Sequence, residues 1–185
     1  MNILQLDTCK STNMVARDYL EGSLFSNKHP DVIVARKQTQ GKGRSGTWFS
    51  PEDNGIYMSV IRPGSWTKSP GWNEVLRYQV EGTDSLTKLF GMHIKELLAD
   101  YFQLRLDLFG VNDIYLAGKK LAGILIEHHA TSDKLIVGVG LNTFRPVKIR
   151  KDLINKAVWL NDYAAEYLIE HKKLVSMIAE EIMKI

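Results

Sequence analysis

Cysteine is all but missing from the 185-residue chain: Cys9 stands alone, so no internal disulfide can form. No Asn-x-Ser/Thr acceptor for glycosylation occurs either, and both absences point to a reducing cytoplasm rather than a secreted scaffold. There is no apolar run of the ~18–20 residues that a bilayer span needs. The opening residues MNILQLDTCKSTN hold neither a basic leader nor a cleavable apolar core. Charge of one sign is also lacking. Lys and Arg number 24 against 21 Asp and Glu, a net charge of +3, far short of the basic footprint of a nucleic-acid binder. What is present is an ordinary globular mix, 44% hydrophobic and 24% charged, which excludes disordered and fibrous classes. The length fits one domain, and neither an internal repeat nor a second hydrophobic core is visible.

Ile3-Leu4-Gln5-Leu6 predicts a short strand, and Ser11-Thr12-Asn13 supplies N-cap residues for a helix to about Glu21, stopped by Gly22-Ser23. Val32-Ile33-Val34, within residues 31–37, marks a buried strand, and residues 56–61 another, closed by Pro63-Gly64. Between them, residues 38–51 carry glycines at 41, 43 and 46 and almost no apolar side chains, hence a loop. Leu86, Leu89, Phe90, Ile94, Leu97, Leu98 and Phe102 recur at helical steps and form one apolar stripe. Residues 104–108 alternate as a strand does, residues 113–116 and 121–127 flank the Ala117-Gly118 turn as a hairpin, and residues 135–141 are a further strand. Leu168, Ile169, Val175, Ile178 and Ile182 predict a last helix over about residues 162–185. Residues 64–83 allow no assignment. Runs of adjacent strands exclude repeating βαβ units, so the expected fold class is α+β, a mixed β-sheet with helices packed mainly on one face.

Gly41-Lys42-Gly43-Arg44-Ser45-Gly46 matches the letters G-x-G-x-x-G. A dinucleotide fingerprint, however, needs a helix opening at the last glycine and an acidic residue ~20 positions on. Here Thr47-Trp48-Phe49-Ser50-Pro51 leads to a turn and a strand, and no Gly-Lys-Ser/Thr makes the loop a P-loop. The chemistry left is anion binding: glycines let backbone N–H groups approach a phosphate or carboxylate, and Lys42 and Arg44 add charge. The alternative is a flexible basic surface loop. A second basic point, Lys119-Lys120, enters an apolar strand. Alternation turns one lysine inward, where an ammonium needs a partner. Lys120, sharing a face with Ala122 and Ile124, is expected to be that one, with Ala122 and Gly123 leaving the strand open for a ligand. The alternative is two solvated hairpin lysines. His128-His129 reads as a solvent-facing pair rather than a metal site, and Trp48 and Trp72 equally suit core aromatics.

Taken in order, Lys10-Ser-Thr-Asn13, Gln38-Thr-Gln-Gly-Lys-Gly-Arg44, Trp48-Phe-Ser-Pro51, Asn112-Asp113, Gly118-Lys-Lys-Leu-Ala-Gly-Ile124 and Gly138-Val-Gly-Leu-Asn142 resemble the biotin protein ligase catalytic domain over about residues 3–142. The resemblance implies a class II aminoacyl-tRNA-synthetase-like biotin/lipoate ligase fold. It also implies a two-step reaction: biotin's carboxylate attacks the α-phosphate of ATP to give biotinyl-5′-AMP and pyrophosphate, and a lysine of a biotin carrier protein or domain of a biotin-dependent carboxylase then takes the biotin as an amide. ATP, biotin and Mg²⁺ are the implied ligands. No nucleic-acid or membrane partner is implied, and a homodimer is left open. One catalytic domain over residues 1–185 is expected, without the N-terminal DNA-binding domain or the C-terminal β-domain of some relatives.

By the same resemblance, Lys120 and Arg44 are catalytic, and Ser11, Thr12, Asn13, Gln38, Gly41, Lys42 and Gly123 hold biotin. Arg44, Trp48, Asn112, Asp113, Lys120 and Asn142 lie against ATP and the adenylate. For Ser11-Thr12-Asn13 plain helix capping is the alternative. The residue types suit the chemistry independently. A carboxylate attacking a polyphosphate is anion on anion, so fixed cations and Mg²⁺ must neutralise charge, and a neutral ureido ring calls for hydroxyl and amide partners. The chain departs from the family at Phe109-Gly110-Val111, where Lys-Trp-Pro is usual, and its basic loop is one residue short, with no arginine before Trp48. Two other readings therefore stay open: a lipoyl or octanoyl transferase of the same superfold, and a catalytically weak biotin-binding or regulatory relative.

Overall fold

In a computed structural model that describes residues 1–22, 29–43, 54–64, 83–149, 151 and 153–185, the apolar runs pair into one sheet. β1 (Ile3–Cys9) leads through α1 (Thr12–Leu20) to β2 (Val32–Gln38), which pairs with β1 in parallel. β3 (Gly55–Pro63) lies antiparallel to β2. After α2 (Thr83–Phe102) come β4 (Leu106–Phe109), β5 (Asp113–Leu116), β6 (Lys119–His129) and β7 (Lys134–Asn142), and then α3 (His171–Lys184). The seven strands are ordered β1-β2-β3-β7-β6-β5-β4, with every pair but β1–β2 antiparallel.

Alternation divides the strand residues between two layers. Val32, Ile56, Met58 and Val60 face α2 and α3, where they pack with Leu89, Phe90, Ile94, Leu98, Ile178 and Ile182. Ile33, Ile61 and Ile136 face the other way, onto Ala16 of α1. Covered on both sides, β3 is buried at every residue except Pro63, and each large apolar side chain taken out of water there contributes about 1.5–3 kcal/mol. The expected mixed sheet with helices mainly on one face is what forms. Among the described residues the helix on the opposite face is α1, and it shapes the site.

The last helix is shorter than the apolar spacing predicts, starting at His171 rather than near 162. Residues 160–162 make one 3₁₀ turn, and the segment is then tied sideways instead of continuing. Asp162 accepts from Arg145 Nε and Nη2 (2.8 and 2.6 Å), and Asn161 Oδ1 accepts the Arg145 N–H (2.9 Å). Leu168, counted in the apolar stripe, is 77% exposed. The helical stripe proper runs through Leu174, Val175, Ile178, Ala179 and Ile182.

Candidate active site

The register brings three glycines together on the face that carries α1. Gly123 of β6 opposes Gly140 of β7, which opposes Tyr57 of β3; two residues along, Leu125 opposes Gly138 and Gly138 opposes Ser59. Opposed residues share a face, so Gly123, Gly140 and Gly138 bare a strip of backbone in the middle of the sheet. Glycine weakens a strand interior and marks close approach of another group. Above this strip is a cleft walled by Ser11, Thr12 and Asn13 at the start of α1, by Gln38, Lys42 and Gly43, and by Asn112 and Lys120.

One end of the cleft is polar and closed. Ser11, Thr12, Asn13 and Gln38 are each less than 9% exposed. Ser11 occupies the N-cap position of α1 with extended backbone, yet its side chain makes no cap hydrogen bond, so capping does not account for it. Gln38 Oε1 accepts from Thr12 N (2.7 Å) and from Thr12 Oγ1 (3.2 Å). Asn13 Nδ2 donates to Glu127 Oε2 (2.8 Å), and Asn13 Oδ1 accepts from Ser59 Oγ (2.6 Å). Gly138 makes room for that amide, since a Cβ there would lie 2.3 Å from Asn13 Oδ1.

The other end holds the cation. Lys120 Nζ pairs with Asp113 Oδ1 at 2.7 Å, both side chains less than a quarter exposed, and Asn112 Nδ2 donates to the same oxygen at 2.8 Å. The lysine lies over Gly123, where a Cβ would meet its Cε at 3.2 Å and Nζ at 3.3 Å. This corrects the alternation argument, which put Lys120 on the face of Ala122 and Ile124. Between β5 and β6 the register slips: Ile114 opposes Ala122, but Tyr115 opposes Lys120, leaving Leu121 as an extra residue. That β-bulge reverses the parity. Leu121, Ala122 and Ile124 point into the core, and Lys120 emerges on the cleft side with Gly123, the residue that leaves the strand open.

Asn142 does not line the cleft: its Nδ2 donates to the carbonyls of Lys120 (3.3 Å) and Val158 (3.1 Å), pinning the backbone that carries the lysine. The same strand end is held by Lys120 N donating to Lys156 O and Val158 N to Lys120 O. Gly41 is buried and Lys42 exposed at the cleft mouth. Arg44 and Trp48, like Trp72, lie outside the described residues. Phe109 is an exposed residue at the end of β4, its ring tilted against Tyr115 at 5.4 Å, and is not part of the cleft wall. His128 pairs with Asp133 and His129 with Ser132. Among the described residues no group of His, Cys, Asp or Glu could by itself hold a metal. Burial pushes the Cys9 thiol up from its ordinary range, which makes it a poor nucleophile.

Sequence reasoning missed Ser59, Glu127 and Arg17. A serine in an apolar strand and a glutamate closing Ile124-Leu-Ile-Glu127 are visible signals, but only the register shows that both converge on Asn13.

Comparison with known proteins agrees with this geometry. The model of the biotin/lipoate A/B protein ligase family matches residues 6–143. The chain belongs to that family. It is 32% identical over 148 residues to the bifunctional ligase/repressor BirA of Bacillus subtilis, covering 76% of this chain and 40% of that protein. The chain thus spans less than half the length of that relative. Among solved structures, the biotin protein ligase of Aquifex aeolicus in complex with biotin and ATP superposes with a TM-score of 0.73 at 22% identity, covering 98% of this chain and 68% of that one. The biotin protein ligase of Leishmania major in complex with biotinyl-5-AMP gives 0.73 at 22%, covering 98% and 72%. At these identities the superpositions establish the biotin/lipoate ligase fold for this family member.

Proposed function

We propose that the chain joins biotin to ATP, giving biotinyl-5′-AMP and pyrophosphate, and then passes the biotin to a lysine of a carrier protein or domain of a biotin-dependent carboxylase. The observation that carries this reading is one cleft with two chemically distinct ends across a glycine floor. Ser11, Thr12 and Gln38 offer buried hydroxyl and amide groups at one end, and Lys120 is fixed at the other. A neutral ureido ring suits the first and a carboxylate meeting a phosphate the second. The related Aquifex and Leishmania proteins, described with biotin, ATP and biotinyl-5-AMP, support the same assignment.

In the first step a biotin carboxylate oxygen bonds the α-phosphorus and pyrophosphate leaves. Lys120 offsets the repulsion between the two anions, held at the start of β6 by Asp113, Asn112 and the Asn142 clamp. A strand-borne cation needs no reorganisation at the moment of attack, the condition under which electrostatic stabilisation is most effective. Arg44 and Trp48 are proposed to cover the adenylate. In the second step the carrier amine attacks the acyl carbon, loses a proton, and AMP departs. Mg²⁺ is normally held by one or two carboxylates together with substrate phosphates. Asp113, beside Lys120, would supply such a carboxylate, and the ion would neutralise phosphate charge.

A lipoyl or octanoyl transferase would need an apolar acyl channel where Ser11, Thr12 and Gln38 line the end of this cleft with polar groups. We place the reaction in the cytoplasm on the lone cysteine and the missing glycosylation acceptors; no helix among the described residues is long and apolar enough to cross a membrane. The deciding experiment is exchange of labelled pyrophosphate into ATP with biotin, lipoate or octanoate, followed by mass analysis of a carrier domain. Biotin-dependent exchange and a mass gain of one biotin are expected. Biotin binding without exchange would favour the weak, binding-only relative.

A further inference from the structure

The sheet face that floors the cleft does not end at Lys120. Leu106 and Leu108 of β4 and Ile114 and Leu116 of β5 turn into the core, so the residues that alternate with them turn to the cleft side. These are Asp107 and Phe109 on β4 and Asp113 and Tyr115 on β5. The pairing agrees: Phe109 opposes Asp113, Asp107 opposes Tyr115, and Tyr115 opposes Lys120. Opposed residues share a face, so this group carries the floor from Gly123 and Lys120 out to the edge of the sheet. Among the described residues α1 covers the same face at Ile33, Ile61 and Ile136, whereas Asp107 and Phe109 on β4 are exposed.

Phe109 is 69% exposed, and its ring leans on that of Tyr115 at 47° with centroids 5.4 Å apart. A lone exposed apolar side chain is ordinary. This one is paired, sits beside a hairpin turn whose Gly110 takes φ 62°, and lies near the cation end of the cleft, since neighbouring strands are roughly 5 Å apart. The core does not use the ring, and the first step of the reaction gives it no part. The second step brings a protein to this place. The carrier amine must reach the acyl carbon beside Lys120, and an acceptor lysine extends only one side chain's length from the surface that bears it. The carrier therefore rests on what surrounds the cation end, and the open continuation of the floor there is the Phe109–Tyr115 pair.

We infer that the Phe109–Tyr115 pair on the β4–β5 hairpin is the surface on which the carrier domain rests during transfer, taking an apolar side chain that neighbours the acceptor lysine. Rigid aromatic side chains are the usual anchors of such contacts. The inference rests on the ligase reading and extends it to the partner. Phe109→Ala tests it, since truncating a ring this exposed leaves the core alone. The KM for the carrier domain in the transfer step should rise about tenfold or more, while biotin-dependent pyrophosphate exchange stays within about twofold. Phe109→Tyr, which keeps the ring, should recover most of the loss. Hydroxylamine needs no docking surface: its nitrogen bonds the acyl carbon of the bound adenylate, a proton is lost and AMP leaves. That reaction should run in Phe109→Ala at the wild-type rate. A carrier KM unchanged in both Phe109→Ala and Phe109→Glu overturns the inference and leaves the ligase reading standing. So does an equal slowing with hydroxylamine, which would put the ring in the chemistry. Sedimentation showing a wild-type dimer that Phe109→Ala abolishes, with the carrier KM unmoved, would give the surface to a second copy and also overturn it. Wild-type protein without biotin-dependent exchange overturns both readings.

Discussion

Replacing Gly138 by alanine should cost stability through one contact. A Cβ at this position lies 2.3 Å from Asn13 Oδ1, 3.0 Å from its Cγ and 3.1 Å from its Nδ2. Gly138 does not use the left-handed backbone region, so the methyl group, not backbone strain, carries the effect. A free side chain would swing away, but Asn13 is 6% exposed and held by Glu127 and Ser59. Moving it forfeits a hydrogen bond to a carboxylate, about 1.5–3 kcal/mol, and one to a hydroxyl, about 0.5–1.5 kcal/mol. Alanine restricts the unfolded chain and returns about 0.4–1 kcal/mol, leaving a net loss around 2.5 kcal/mol. For a chain of this length that lowers Tm by about 5–10 °C. The assay is urea unfolding of Gly138→Ala in the wild-type background and again with Asn13→Ala. In the second background the obstructing amide is gone and the penalty should fall below about 1 kcal/mol. An equal penalty in both backgrounds would refute the reasoning, as would an unchanged midpoint in the first.

Lys120→Ala should slow biotin-dependent pyrophosphate exchange by about 100-fold or more, with a smaller change in biotin affinity; exchange near the wild-type rate would return the lysine to a structural pair with Asp113. Asn142→Ala removes the donor to two carbonyls, Lys120 O and Val158 O, and should cost about 1–3 kcal/mol in urea unfolding while slowing exchange. His171 gives a pH prediction with a definite sign. Thr143 Oγ1 commits its proton to Asn54 O, so His171 Nε2, 2.7 Å away, carries the hydrogen, and burial holds the imidazole below its ordinary range. As pH falls through about 6.5 the unfolded chain therefore binds the proton first and stability is lost. His171→Gln should show a smaller drop in Tm than the wild type between about pH 7.5 and 5.5; an equal drop would assign the loss to other groups.

The elements themselves were legible in the sequence. The runs Val32-Ile33-Val34 and Leu135 to Leu141 and the stripe Leu86 to Phe102 are local patterns, set by which side chains must leave water at periods of 2 and 3.6. So were the chemical types at the site, hydroxyls and amides at one end and a lysine at the other, together with the family they resemble. What no local pattern carries is parity and pairing. Whether Lys120 faces core or cleft depends on the bulge at Leu121, where the pairing of β6 with β5 slips by one residue. That Gly123, Gly140 and Gly138 form one bare floor depends on strand order, which sets β7 between β3 and β6 although β3 and β7 lie far apart in the chain. The ties from Asn13 to Ser59 and Glu127 span 46 and 114 residues. Contacts at such separations are chosen by how the sheet assembles, so the sequence by itself determined which groups the protein could bring to a ligand, and the tertiary structure decided which way each one points.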